Sequence, residues 1–472
     1  MYRKAMKRWP SGMLLFALAL VLGAPASANL LYTVHDNNYA STSVGKIVGD
    51  TAIVLATNVG GNWGQVIFPF KRGAADRVAV TLYPNSNPYY PGDEVRIYDP
   101  ASLNWSSPES TLTHVRLKNI RALAFMGGHP YGIGYDCTPF AFAYSEDPVR
   151  RSAKVARWNH MWGTTYWPDN LYTHLFQYES PSGYTANGEG LAAHGSFVYA
   201  LFKSYTGNYP NFVYSPNKLV KLNAELGQVG ALDLHGKNTD GSIPGAYCQS
   251  GSTLYLTSWG GLHFFISNWH PESRIEKVNL NGMSTETLVT GQQMHDNDPS
   301  WKHHFTAIAL HGNTAYVQAA TWKEFPGTPF AMPGGEVRIY KCSMSDIGTL
   351  PQTAPVQTIA TDAIWQLGMV QEGTYLWVAV GDRLHRYSLP VTASSQATVF
   401  SSGSAIPLGG NISAFAPLPL PQEVFTAESA LDTLKQADIK EEKGNSRGCE
   451  AGLPWAGVLL AAAVPFVLRR RG

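Results

Sequence analysis

The densest run of groups able to hold a cation is Met294-His295-Asp296-Asn297-Asp298-Pro299-Ser300-Trp301-Lys302-His303-His304. His295, Asp296, Asp298, His303 and His304 offer imidazole nitrogens and carboxylate oxygens to a divalent metal. Asp296 and Asp298 alone offer oxygens to calcium. The spacing matches no established ligand motif, and Asn, Asp and Pro in this order also describe a solvated turn between structural units. A second concentration is aromatic. Trp158, Trp162 and Trp167 stand with Asn159, His160 and Asp169, a combination able to stack on a sugar or peptide and hydrogen-bond its polar groups. The competing reading is an insertion whose aromatics pack on one another. Ser267-Asn-Trp-His270, with Glu272 and Arg274, is a shorter version of the same chemistry.

No paired carboxylates, nucleophile elbow, metalloprotease spacing or phosphate loop stands at convincing spacing. Cys137, Cys248, Cys342 and Cys449 match no zinc or redox pattern. One pair among the first three is a candidate disulfide in an oxidising compartment, and buried thiols are the alternative. The formal net charge is +1, so no basic field exists to attract nucleic acid. Charged residues make up only 15% of the chain and aromatics 12%, with 45 Gly and 30 Pro. Few charges, many aromatics and many turn formers suit an all-β extracellular protein.

The elements that must position these groups repeat. A Gly followed four residues later by an aromatic opens Gly195-Ser-Phe-Val-Tyr199, Gly251-Ser-Thr-Leu-Tyr255, Gly312-Asn-Thr-Ala-Tyr316 and Gly373-Thr-Tyr-Leu-Trp377. Gly127 with Tyr131 and Gly49 with Ile53 are looser copies. Each copy predicts a tight turn and a strand. A second pattern alternates apolar and charged residues. Glu94-Val-Arg-Ile-Tyr98 and Glu336-Val-Arg-Ile-Tyr340 are identical, and Lys154–Trp158, Lys218–Leu222, Arg274–Val278 and Arg383–Tyr387 are related. Period-two alternation belongs to a strand with one wet face, as near the outside of a propeller blade. The copies recur about every 60 residues, against roughly 40 to 50 for ordinary blades. Amphipathic helical stretches are absent from residues 29–417. The expectation is an all-β propeller over residues 29–420, of seven blades, with six or eight as alternatives. In this count Arg77–Tyr83 starts a blade, and closure pairs Leu30–Val34 with Ile412–Ala416.

Both ends carry targeting patterns. Arg3, Lys4, Lys7 and Arg8 precede the apolar run Met13–Gly23 and the small residues Ala26-Ser27-Ala28, so residues 1–28 read as a signal peptide cleaved between Ala28 and Asn29. Residues 421–447, rich in Glu, Lys, Asp and Ser, read as a spacer. Residues 448–472 hold Gly448-Cys449-Glu450-Ala451-Gly452, an apolar stretch from Leu453 to Leu468 and Arg469-Arg470-Arg471. That stretch is short for a comfortable membrane span, and Pro454 and Pro465 weaken it as a permanent helix.

This tail resembles the SYNERG-CTERM sorting tails of Synergistetes bacteria, with MYXO-CTERM tails as the runner-up resemblance. It covers about the last 25 residues. The resemblance implies that a membrane protease removes the apolar helix and that Cys449 carries the final attachment. Signal peptidase, a sorting protease and the membrane are thus the expected partners. The expected location is the cell surface or outer envelope. A glycan or peptide is the expected ligand, with a divalent metal as the one candidate cofactor. The first functional reading is a binding module; a propeller hydrolase or lyase and a structural envelope protein are the alternatives. Intact-mass analysis of protein from its native host is expected to give a chain starting at Asn29 and lacking everything after Cys449. Finding Leu453 to Arg471 still attached would leave a plain membrane anchor instead.

Overall fold

A computed structural model describes residues 29–35, 42–57, 59, 64–72, 75–82, 94–102, 105, 107–113, 117, 120–135, 153–158, 173–207, 212–261, 270–324, 331–361, 367–401 and 411–418. The chain divides into two units, Met1–Phe425 and Thr426–Gly472, and all described residues belong to the first. The signal peptide, spacer and tail expectations lie outside the described residues. No described helix is long and apolar enough to cross a membrane.

The repeated Gly turns set the plan. Gly127, Gly195, Gly251, Gly312 and Gly373 have φ between 54° and 60°, a conformation that costs other residues energy. Each joins the first strand of a blade to its second. Where neighbouring blades cover both faces of a first strand, it can be apolar throughout. All of Ala122–Met126 is buried, for example. The second strands carry the repeat's aromatic, and the third strands are the alternating segments such as Glu94–Tyr98.

Seven antiparallel sheets result. Blade 1 holds Asn29–His35, Thr42–Val48 and Thr51–Ala56, completed from the far end of the chain by Asn411–Pro417 as its first strand. Blade 2 spans 64–113, blade 3 122–178, blade 4 185–237, blade 5 247–290, blade 6 304–361 and blade 7 367–401. The fold is an all-β, seven-bladed propeller. In the closing pair Leu30 faces Pro417 and Tyr32 faces Phe415, with a bulge at Thr33/Val34. The buried Thr33 and Ser413 hydroxyls meet at 2.9 Å beside that bulge.

The core lies between blades rather than at one centre. Seven apolar clusters correspond to the seven junctions. Between blades 3 and 4, Tyr131, Ile133 and Val155 meet Val198 and Phe202. Between blades 7 and 1, Trp377 and Phe400 meet Leu30, Tyr32 and Ile412. The repeat's aromatic also reaches across the junction. Tyr131 Oη donates to Ala224 O at 3.1 Å, and Tyr199 Oη donates to Leu280 O at 2.9 Å. Tyr316 Oη accepts from Val391 N at 3.2 Å. Arg386, packed over Trp377, donates to Gly49 O. Each acceptor or donor lies in the next blade's turn between its third and outer strands.

One sequence expectation needs correction, and two local features were not foreseen. Ala75–Leu82 is the second strand of blade 2, whose first strand is Gly64–Arg72, so Arg77 does not start a blade. Gly49 turns the third strand of blade 1 into the outer one, because that blade's first strand comes from the C-terminal side. Gly291–Asn297 is a short helix, entered through a Thr290/Gln293 capping box. Deleting Asn411–Pro417 strips one face of cover from Leu30, Tyr32 and Val78. A chain so shortened is expected to lose its cooperative thermal transition or melt far below the intact protein. An unchanged melting temperature would show that this strand does not close the ring.

Candidate functional site

Antiparallel order gives the ring two unlike faces. The Gly turns and the third-to-outer turns lie on one, here the turn face. The starts of the first strands, the second-to-third loops and the connections between blades lie on the other, here the loop face.

On the loop face four charged side chains from blades 3 and 4 and the connection to blade 5 converge. Glu189, in the first strand of blade 4, is fully buried. It stands between Gly188 and Gly190 at a bulge in the ladder. Its Oε2 accepts from Arg121 Nη2 at 3.1 Å and from Gly241 N at 3.1 Å, while Lys203 Nζ lies 2.9 Å from Oε1. Arg121 also reaches Asp240 Oδ1 at 2.5 Å. Gly241 permits this approach, since a Cβ there would fall 1.6 Å from Glu189 O. Burial alone would push the Asp240 carboxyl up. Arg121, Lys203 and the hydrogen bonds from Ser242 outweigh it, so Asp240 is held below the ordinary carboxylate value.

An aromatic hairpin adjoins the charges. The two-residue strand Val213–Tyr214 pairs with the end of the second strand of blade 4, Tyr205 facing Tyr214. Phe212 meets Tyr205 edge-on at 5.2 Å. Tyr214 is half-buried, and Val213 is 54% exposed. Burial, then the charges of Glu189 and Asp240, raise the Tyr214 phenol. Tyr247 is pushed up to about 12, chiefly by burial.

Beyond Asp240 the polar band continues into blade 5. Asn217 Nδ2 donates to Thr239 Oγ1 at 2.8 Å, and Lys237 pairs with Glu272 at 2.9 Å. His270 Nδ1 accepts from Gly261 N and Glu272 N, which assigns its proton to Nε2. His270 and Glu272 therefore lie beside the same connection as Asp240, while Ser267, Asn268 and Trp269 fall outside the described residues.

The sequence-predicted sites fare differently. Trp158 is 5% exposed and belongs to the apolar junction of blades 2 and 3, with its ring against Gly132. It is core, not a ligand platform, because Gly132 leaves the hollow that its indole fills. Asn159, His160, Trp162, Trp167 and Asp169 lie outside the described residues. The cation candidates do not converge. His295 Nδ1 engages Trp301 O, Asp296 receives Gln292, and Asp298 caps the Ser300 turn. His303 faces Glu336 at 3.2 Å, and His304 is buried edge-on against Trp259. Among the described residues no group of three His, Cys, Asp or Glu is placed to hold a metal. Cys248 and Cys342 are free thiols, both pushed up to about 11 by burial. Cys137 and Cys449, like Ala28 and Gly448, fall outside the described residues, and Asn29 begins blade 1.

Sequence reading missed Arg121, Glu189, Lys203 and Asp240. Arg121 is 68 residues from Glu189 and 119 from Asp240. The one local signal was a carboxylate between two glycines, Gly188-Glu189-Gly190.

No protein family's sequence profile matches the chain, and no curated protein sequence does. Among solved structures the chain is similar to BamB from Moraxella catarrhalis, at 9% identity and TM-score 0.35 over 80% of this chain and 84% of that one. The β-propeller domain of the Trilobed protease from Pyrococcus furiosus matches at 9% identity and TM-score 0.36, over 80% and 91%. A lignostilbene dioxygenase from Pseudomonas brassicacearum matches at 10% identity and TM-score 0.40, over 84% and 93%. At these values the likeness transfers no activity.

The buried histidines make stability pH-dependent. Burial and Arg338, opposed by Glu336 and Asp298, leave His303 at about 4; burial and His303 leave His304 at about 3. Both lie below the ordinary 6.5, so the folded state binds fewer protons than the unfolded one in this window. Their contribution is complete above about pH 6.5 and falls toward pH 4, by up to about 1.4 kcal/mol per pH unit for each. Replacing His304 by Gln should flatten that acid limb in chemical denaturation. An unchanged slope would contradict neutral burial.

Proposed function

We propose that this protein is an exported propeller, held at the cell surface through its C-terminal tail, that binds an extracellular glycan or peptide on the loop face of blades 3 to 5. The observation that carries the reading is the burial of Glu189 among Arg121, Lys203 and Asp240. Other junctions also hold charges, such as Arg386 with Asp50 between blades 7 and 1 and the buried Glu276 of blade 5 accepting from His235 N and Gly236 N of blade 4, beside neutral tyrosines such as Tyr131 and Tyr199 that reach main-chain oxygens. Enclosing a fully buried carboxylate among three partly buried charges is a poor way to join blades, since desolvation offsets most of the attraction. What sets this place apart is that three charges of both signs enclose a fully buried carboxylate, which makes it a candidate functional place. The aromatic hairpin and the exposed Val213 beside it supply contact area that a charged cluster alone lacks. The targeting patterns at both ends support a location where envelope polymers and nutrients are met.

The test separates binding from a structural lock. The triple variant Arg121→Met, Glu189→Gln, Lys203→Met is expected to melt within a few degrees of the parent. It should also lose the parent's hits on an array of oligosaccharides and peptides. Unfolding of the variant, or hits that survive in it, would return the cluster to a structural role.

A further inference from the structure

The same cluster carries information about its ligand. Asp240 engages the described residues through one oxygen only. Its Oδ1 accepts from Arg121 Nη2 at 2.5 Å, Ser242 N at 3.1 Å and Ser242 Oγ at 2.6 Å. Its Oδ2 accepts nothing from the described residues, and 19% of the side chain is exposed. Three donors on Oδ1 fix the carboxylate plane, so Oδ2 is a pre-oriented acceptor. The depressed pKa of Asp240 keeps it ionised at neutral pH. Tyr214 is half-buried and pairs with Tyr205, which lies two residues along the same strand from Lys203, the partner of Glu189. The Tyr214 hydroxyl makes no hydrogen bond with a described residue. An ionised acceptor and a partly open aromatic ring thus stand together.

Resting on the binding reading above, we infer that the loop face takes a neutral, polyhydroxylated ligand, a hexose or pentose oligosaccharide, with hydroxyl groups donating to Asp240 Oδ2 and a sugar ring against Tyr214. Charge decides between ligand classes. Arg121 and Lys203 balance Glu189 and Asp240, so the cluster attracts neither sign. A cationic side chain approaching Asp240 meets Arg121 and Lys203 close behind it. An anionic sugar meets the two carboxylates. Neutral hydroxyls gain a charge-assisted hydrogen bond with neither penalty, and the apolar face of a sugar ring suits a tyrosine ring. A peptide offers few hydroxyl donors and is the disfavoured occupant.

Calorimetry on the full-length protein tests this with cellohexaose, mannohexaose and xylohexaose. Oligogalacturonate, chitosan hexamer and a tri-lysine peptide serve as charged comparators. At least one neutral oligosaccharide is expected to bind, with the charged probes weaker by about tenfold or more. Asp240→Asn, which retains Oδ1 for Ser242, should weaken binding by roughly 10- to 100-fold, the loss of one charged hydrogen bond. Tyr214→Ala should abolish it, and Val229→Thr, on the outer strand of blade 4, should leave it unchanged. If Asp240→Asn fails to fold, the Tyr214 variant decides. Binding only of a charged probe or peptide, lost in the triple variant, would overturn the neutral-sugar assignment and leave the binding reading intact. No binding of any neutral probe, or parental affinity in both site variants, would overturn the inference.

Discussion

Pairing between Leu30–His35 and Asn411–Pro417 is the contact on which the ring depends, because no blade of this protein buries an interior of its own. A four-stranded sheet has two faces to cover, and each here is covered only by the neighbouring blade. Seven junction clusters therefore stand in a circle, each sharing its stability with two others. An open chain of blades would leave two apolar faces bare and the strands Asn29–His35 and Asn411–Pro417 without each other, a hazard for aggregation. Closure removes both problems in one step. It also makes stability non-local, since residues 380 positions apart share the Thr33–Ser413 hydrogen bond.

The turn face shows why the repeat has the form it does. A Gly at positive φ starts the second strand, and the aromatic four positions on lands where it can reach the next blade's turn. Gly and aromatic are thus two halves of one device: the first sets the strand's start, the second ties the strand to its neighbour. That coupling made most of the fold readable. The alternating third strands were equally legible, because one face must stay wet. Blade 1 escaped the pattern. Its first strand is delivered from the far end of the chain, so its own Gly turn sits elsewhere in the sheet. Blade 2 misleads for a related reason. Its first strand, Gly64–Arg72, runs on without the Gly–aromatic signature, so Ala75–Leu82 reads in sequence as the blade's beginning.

The site was far less legible. Residues dense in His and Asp drew attention to 295–304, yet their side chains are spent on local capping, a helix and buried aromatic contacts. Trp158 drew attention as a ring and turned out to fill a hollow over Gly132. The convergent residues are scattered over two blades and a connection, and apart from Glu189 between its glycines none stands out among its sequence neighbours. Only three-dimensional closure brings Arg121 to Asp240. In a propeller, chemistry assembles around the ring, across the direction in which sequence motifs run, and spacing along the chain carries little of it.

One consequence follows from the direction of the closing strand. Asn411–Pro417 runs from the loop face to the turn face, and Asn29 starts its strand beside it. Chain entry and chain exit therefore share one side of the disc, and that side is the one crowded with short turns. The propeller has a built-in polarity, with all its covalent leads on its back. A graft, label or solid support attached after Leu418 takes hold of that back, and Asp240 and Tyr214 lie on the opposite surface of the propeller.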